Sequence, residues 1–123
     1  MVITGSSRGL GEGLARLAAK DGYRVALCAR SIDTLEALSE ELNAQGYDTH
    51  PFYMDLRDIA SIRAAFTTIE ETLGPIEVLI NNAGMGNPIP ATEVTEEDWD
   101  ELINLNLKGT FFAAQEAGKR MIK

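Results

Sequence analysis

The chain has 123 residues, is about half apolar and carries a formal net charge of −8. That length suits one domain with one core, and the composition argues against disorder. The charge argues against nucleic acid or an anionic membrane surface as the main partner, because both demand basic patches.

Met1–Thr4 is a short apolar run that opens directly into a glycine-rich loop. It has neither a basic n-region nor a long apolar h-region, so it does not read as a signal peptide. Leu10–Asp21 has Leu10, Leu14, Leu17 and Ala18 at helical spacing, with Gly22 as its stop. Val25–Ala29 is a second apolar run, and Ile32–Ala44 a second helix with Leu35, Leu38 and Leu42 on one face. Thr49–Tyr53 reads as a weaker third strand. Asp58–Leu73 is a helix capped by Asp58 and ended by Gly74-Pro75. Ile76–Ile80 is a fourth, near-continuously apolar strand. A loop rich in Asn, Gly and Pro covers Asn81–Pro90. Thr95–Lys123 is mostly helical, with a capping box at Thr95/Asp98 and a break or bend at Gly109. No run of about eighteen apolar residues occurs.

The order β-α-β-α-β-α-β-α implies a parallel sheet covered on both faces. Right-handed crossovers then give a doubly wound α/β sheet. Cys28, the only cysteine, has no internal disulfide partner, which fits a reducing, cytoplasmic setting. It reads as a core residue, His50 as a surface one, and Trp99 as the anchor of its acidic helix.

Thr4-Gly5-Ser6-Ser7-Arg8-Gly9-Leu10-Gly11 lies between the first strand and the first helix. Gly5 permits a tight turn off the strand. Gly9 clears space where a backbone must approach a pyrophosphate, and Gly11 lets the helix pack close to the sheet. Free N–H groups at the helix start, from Ser7 through Leu10 and Gly11, then face the phosphates. No Gly-Lys-Ser/Thr triplet follows, so this is not a nucleoside-triphosphatase loop.

Three further motifs, Asp55-Leu56, Asn81-Asn82-Ala83-Gly84 and Asn106-Leu107-Lys108-Gly109, accompany the glycine loop. In this order and spacing the set resembles the short-chain dehydrogenase/reductase family over essentially the whole chain. The resemblance implies a Rossmann fold of sheet order 3-2-1-4, here incomplete. It implies that Thr4 and the glycines hold the first motif and the pyrophosphate, and that Asp55, beside Leu56, meets the adenine edge. It further implies that Asn81 stabilises the central sheet and that Asn82, Ala83 and Gly84 line the cofactor path. Asn106 matches the family's catalytic-site asparagine, which holds a water of a proton relay.

NAD-binding sheets of this kind place an acid about 20 residues past the glycines, on the ribose hydroxyls. The matching position here is Ala29. Arg30 and Ser31 follow it, and Arg8 sits in the glycine loop. Guanidinium groups suit a 2′-phosphate, so NADP is expected over NAD.

The family's chemistry uses a serine and a Tyr-x-x-x-Lys pair downstream. This chain has no tyrosine after Tyr53 and no serine after Ser61, and the family domain is about twice as long. A partial polypeptide, a truncation and a stand-alone nucleotide module all remain open. The leading expectation is an NADP-dependent oxidoreductase, or a fragment of one, acting on a small carbonyl or alcohol substrate. A non-catalytic NADP-binding module is the first alternative and an S-adenosylmethionine-dependent methyltransferase the second. No metal site is expected. The bare edge of the fourth strand and the apolar face of the last helix favour homo-oligomerisation.

Overall fold

The structure, a computed structural model, describes all residues 1–123. Strands β1 (Val2–Thr4), β2 (Val25–Ala29), β3 (Thr49–Tyr53) and β4 (Leu79–Ile80) form one parallel sheet in the order β3-β2-β1-β4. Helices α1 (Gly9–Lys20), α2 (Ile32–Ala44) and α3 (Ile59–Leu73) make the crossovers. A short 3₁₀ turn, Ala91–Glu93, precedes α4 (Glu96–Ile103). A π-helical segment, Asn104–Gly109, joins α4 to α5 (Thr110–Met121).

Two apolar clusters sandwich the sheet. One packs Val2, Ala26 and Cys28 with Phe66, Ile62 and Ile69 of α3 and Ala113 and Ala117 of α5. The other packs Ile3, Val25 and Leu27 with Ala15, Ala18 and Ala19 of α1 and Leu35, Leu38 and Leu42 of α2. Pro51 within β3 is tolerated because β3 is an edge strand. Asp58 caps α3 through the Ala60 N–H, and Thr95 with Asp98 forms the capping box of α4.

Three expectations need correction. The fourth strand is only Leu79–Ile80, because the three-residue β1 offers partners to those two positions alone (Val2 opposite Leu79, Ile3 opposite Ile80). Ile76 is nevertheless buried in the core. On α1 the inward face is Gly11, Ala15, Ala18 and Ala19, while Leu10 and Leu17 are 74% and 57% exposed. The helix lies too close to the sheet for leucine between them. Trp99 is 60% exposed and anchors nothing; no residue of α4 is buried.

Candidate nucleotide-binding site

The carboxyl ends of parallel strands are where a doubly wound sheet opens a crevice. In this molecule an open cleft of about 1250 Å³ lies there. It brings together Thr4, Gly5, Ser7, Arg8, Gly9, Leu10 and Gly11 from the β1–α1 corner, Arg30 and Ser31 from the end of β2, Asp55 and Leu56 after β3, Asn81 through Gly84 after β4, and Asn106. Every residue singled out from the sequence as a candidate site residue lines this one cleft.

The corner is built by close approach. Gly5 and Gly9 take φ of +65° and +57°, a region that L side chains rarely adopt. A Cβ on Gly11 would run into the Gly5 carbonyl oxygen and Asn82 Nδ2. A Cβ on Gly9 would meet nothing, so its side is open to the cleft. Ser6 ties the loop to β2: its N–H donates to the Cys28 carbonyl at 3.2 Å, and its Oγ accepts from the Cys28 N–H at 2.9 Å. The backbone N–H groups of Ser7, Arg8, Gly9, Leu10 and Gly11 find no acceptor within the chain. Five donors in sequence at a helix start form a ready anion site.

The loop after β4 is pinned to β1. Thr4 Oγ1 accepts from the N–H groups of Asn82 and Ala83, each at 3.1 Å. Asn82 Nδ2 donates to the carbonyls of Thr4 and Gly5, again at 3.1 Å. The strand-tying amide is therefore Asn82 rather than Asn81, whose side chain is exposed. Asn106 sits on the π-helical segment and reaches across to this loop. Its Oδ1 accepts from the Met85 N–H at 2.9 Å and its Nδ2 donates to the Met85 carbonyl at 2.7 Å. Asn106 is exposed, yet both ends of its amide are bonded to this loop.

Charge in the cleft runs against the acidic whole. Its lining carries Arg8, Arg30 and Arg57 against Asp55 and Glu101. Arg57 lies 3.1 Å from Asp55 and 3.6 Å from Glu101, so both carboxylates are compensated locally. Arg8 and Arg30 have no carboxylate within ion-pair distance. Hydrogen bonds from Arg57 hold the Asp55 carboxyl below the usual carboxylate range, with a smaller contribution from the Arg30 charge. Burial pushes the Cys28 thiol up to about 12, so it is a neutral core group. His50 is half-exposed and bonds Asp48 at 2.6 Å, away from the cleft. Arg57 is the residue that sequence reading passed over. Its only signal was its place two residues after Asp55, where a side chain can fold back on its neighbour.

Strand order 3-2-1-4, with a glycine corner at the carboxyl end of β1, defines the class of protein: a doubly wound Rossmann fold. The chain belongs to the short-chain dehydrogenase family, whose description matches residues 1–123. It is 34% identical to a D-threitol dehydrogenase from Mycolicibacterium smegmatis over 99% of its own length and 47% of that protein's. It is 38% identical to the oxidoreductase UcpA from Salmonella typhimurium, over 99% of this chain and 46% of that one. Among solved structures, an alcohol dehydrogenase from the archaeon Thermococcus sibiricus, complexed with 5-hydroxy-NADP, is similar at a TM-score of 0.93 and 36% identity, covering 98% of this chain and 52% of that one. A gluconate 5-dehydrogenase from Burkholderia cenocepacia, in complex with NADP and tartrate, is similar at a TM-score of 0.92 and 33% identity, covering 98% and 48%. The chain thus spans about half the length of the curated relatives it matches. Family membership sets aside the methyltransferase alternative. No helix is long and apolar enough to cross a membrane.

Proposed function

We propose that this chain forms the NADP-binding half of an oxidoreductase that moves hydride between a nicotinamide and a carbonyl or alcohol carbon of a small molecule. The observation that carries the reading is the cleft's own chemistry: five unpartnered N–H groups at the β1–α1 corner, flanked by two uncompensated guanidinium groups, Arg8 and Arg30. The N–H groups of residues 7–11 hold a pyrophosphate, and the open side of Gly9 lets it approach. Arg8 and Arg30, with the Ser31 hydroxyl, take the 2′-phosphate. Ala29 puts no carboxylate where one would repel that phosphate. Asp55 accepts from the adenine. Asn82, Ala83 and Gly84 line the path towards the nicotinamide, and Asn82 fixes the corner's shape.

When bound, the cofactor supplies or receives the hydride. The protein's part is to bind, orient and manage the proton. Asn106 uses one N–H and one lone pair on Met85, and keeps a second donor and a second acceptor position for a water. The proton for the substrate oxygen comes from the family's Tyr-x-x-x-Lys pair, which no residues of 1–123 supply. Leu107, Phe111 and Ile122 are exposed large apolar side chains, and their exposure supports self-association.

Titration of NADPH and NADH by nicotinamide fluorescence tests the reading. Arg30→Asp is expected to weaken NADPH at least about tenfold, about 1.4 kcal/mol, and to leave NADH within about twofold. Equal loss for both cofactors removes the 2′-phosphate assignment.

A further inference from the structure

Arg57 folds back on Asp55 and gives it three hydrogen bonds. Its backbone N–H reaches Asp55 Oδ1 at 3.0 Å, its Nε reaches the same oxygen at 3.1 Å, and its Nη2 reaches Oδ2 at 3.2 Å. The remaining arm, Nη1, lies 3.6 Å from Glu101 Oε1 on α4. Asp55 is held from the other side as well, since its own N–H donates to Ser61 Oγ of α3 at 2.9 Å. Its side chain is 17% exposed and lines the cleft. The charged groups around it are Arg57 beside it, Arg30 from the end of β2 and, through Arg57, Glu101 of α4.

An ionised carboxylate offers about four acceptor positions. Arg57 fills two on Oδ1 and one on Oδ2. One position on Oδ2 is left, and a fixed single acceptor selects for a single donor. A 6-aminopurine presents an N–H₂ to it, whereas a 6-oxopurine presents a lone pair at the same place. Freed from Arg57, the carboxylate can turn an oxygen to the neighbouring N1 position, where a 6-oxopurine carries an N–H, so it accepts from either base and loses that selectivity.

We infer that Arg57 is a positioning residue for base selection: it holds Asp55 with one acceptor on Oδ2 and so sets the cleft's preference for a 6-aminopurine nucleotide over a 6-oxopurine one. The inference rests on the proposed dinucleotide reading of the cleft.

The test compares NADPH with its 6-oxo analogue, reduced nicotinamide hypoxanthine dinucleotide phosphate, by fluorescence titration of the full chain. The unaltered protein is expected to prefer NADPH at least about tenfold. Arg57→Gln should bring the two affinities to within about twofold of each other. Arg57→Lys, which keeps the charge but not the two-pronged fork, should give an intermediate ratio; it serves in place of the glutamine variant should that one not fold. A purely structural role lowers both affinities together and leaves the ratio unchanged, and that result overturns the inference. So does an unaltered protein that binds both analogues equally. An unaltered, folded protein that binds neither overturns the dinucleotide reading itself.

Discussion

The sheet with α2 and α3, and the segment from α4 to α5, handle apolar residues in opposite ways; α1 follows the second pattern. In the first region the large side chains go inward: Phe66, Ile3, Leu27, Leu35, Leu42, Ile62 and Ile69 are all fully buried. In the second, the small residues go inward. Gly109, Ala113 and Ala117, spaced four apart, are the contact face, and a Cβ on Gly109 would strike the Leu56 carbonyl. Trp99, Leu107, Phe111 and Ile122 face outward. The first region makes its own core; the second lays a helix close against it and presents its bulk elsewhere. The cleft lies where the two meet, with the β1–α1 corner on the first and Asn106 on the second.

The sharpest way to break this contrast is to truncate one large aromatic from each region. Phe66 is at 0% exposure between the sheet, α3 and α5, and Arg120 sits 5.8 Å above its ring. Phe66→Ala is expected to cost about 3–5 kcal/mol in urea unfolding. Trp99→Ala, made as its control, should stay within about 0.5 kcal/mol. Similar losses for both would mean that α4 is held by burial absent from this fold.

How far the sequence could be read follows from the same contrast. Element order and the glycine corner were legible because they rest on strong local signals: apolar runs of strand length, helical periodicity, and glycines placed between a strand and a helix; the sheet order came only with the family resemblance. The α1 core face was not, because periodicity weights leucine over alanine, whereas close packing on the sheet admits only Gly11, Ala15, Ala18 and Ala19. Two adjacent asparagines carry no mark of which one turns towards β1, so the tie made by Asn82 had to be seen. The hydrogen-bonded group of buried Ser39 and Thr49 with exposed Asn43, between α2 and β3, was equally silent, since its partners come from separate elements. Arg57 was missed because a basic residue near an acid is common and the fold-back geometry is not written in composition.

A middle-sized effect should come from the seam between α3 and α5. Glu116 is buried at 6% exposure and bonds Arg120 at 2.7 Å and Lys119 at 3.2 Å, with Arg63 at 3.7 Å. Hydrogen bonds from Arg120 and then Lys119 hold its carboxyl below the usual glutamate range. A depressed folded-state value stabilises the fold above the unfolded value, near pH 4.3, and that contribution disappears as pH falls through the folded value. Glu116→Gln is therefore expected to cost about 1.5–3 kcal/mol at pH 7 and to flatten the loss of stability below about pH 4. Urea midpoints measured from pH 7 to pH 3 would read both. An unchanged acid slope would place the pH response in other carboxylates.

The smallest effect sharpens the comparison from the α5 side. Gly118 lies on the same helix as Ala113 and Ala117, but a Cβ there meets nothing within 4 Å. It is a helix-interior glycine with an ordinary backbone, so Gly118→Ala should remove unfolded-chain freedom without touching a neighbour. The expected gain is about 0.5–1 kcal/mol, or about 2–4 °C in Tm. NADPH affinity should not move, because Gly118 does not line the cleft. Gly109, nine residues earlier, has no such freedom: the Leu56 backbone already occupies the place of its missing side chain. Two glycines on one helical segment thus separate a position dictated by close packing from one that packing leaves free. A loss of stability at Gly118 would show that the outward face of α5 is covered by something after all.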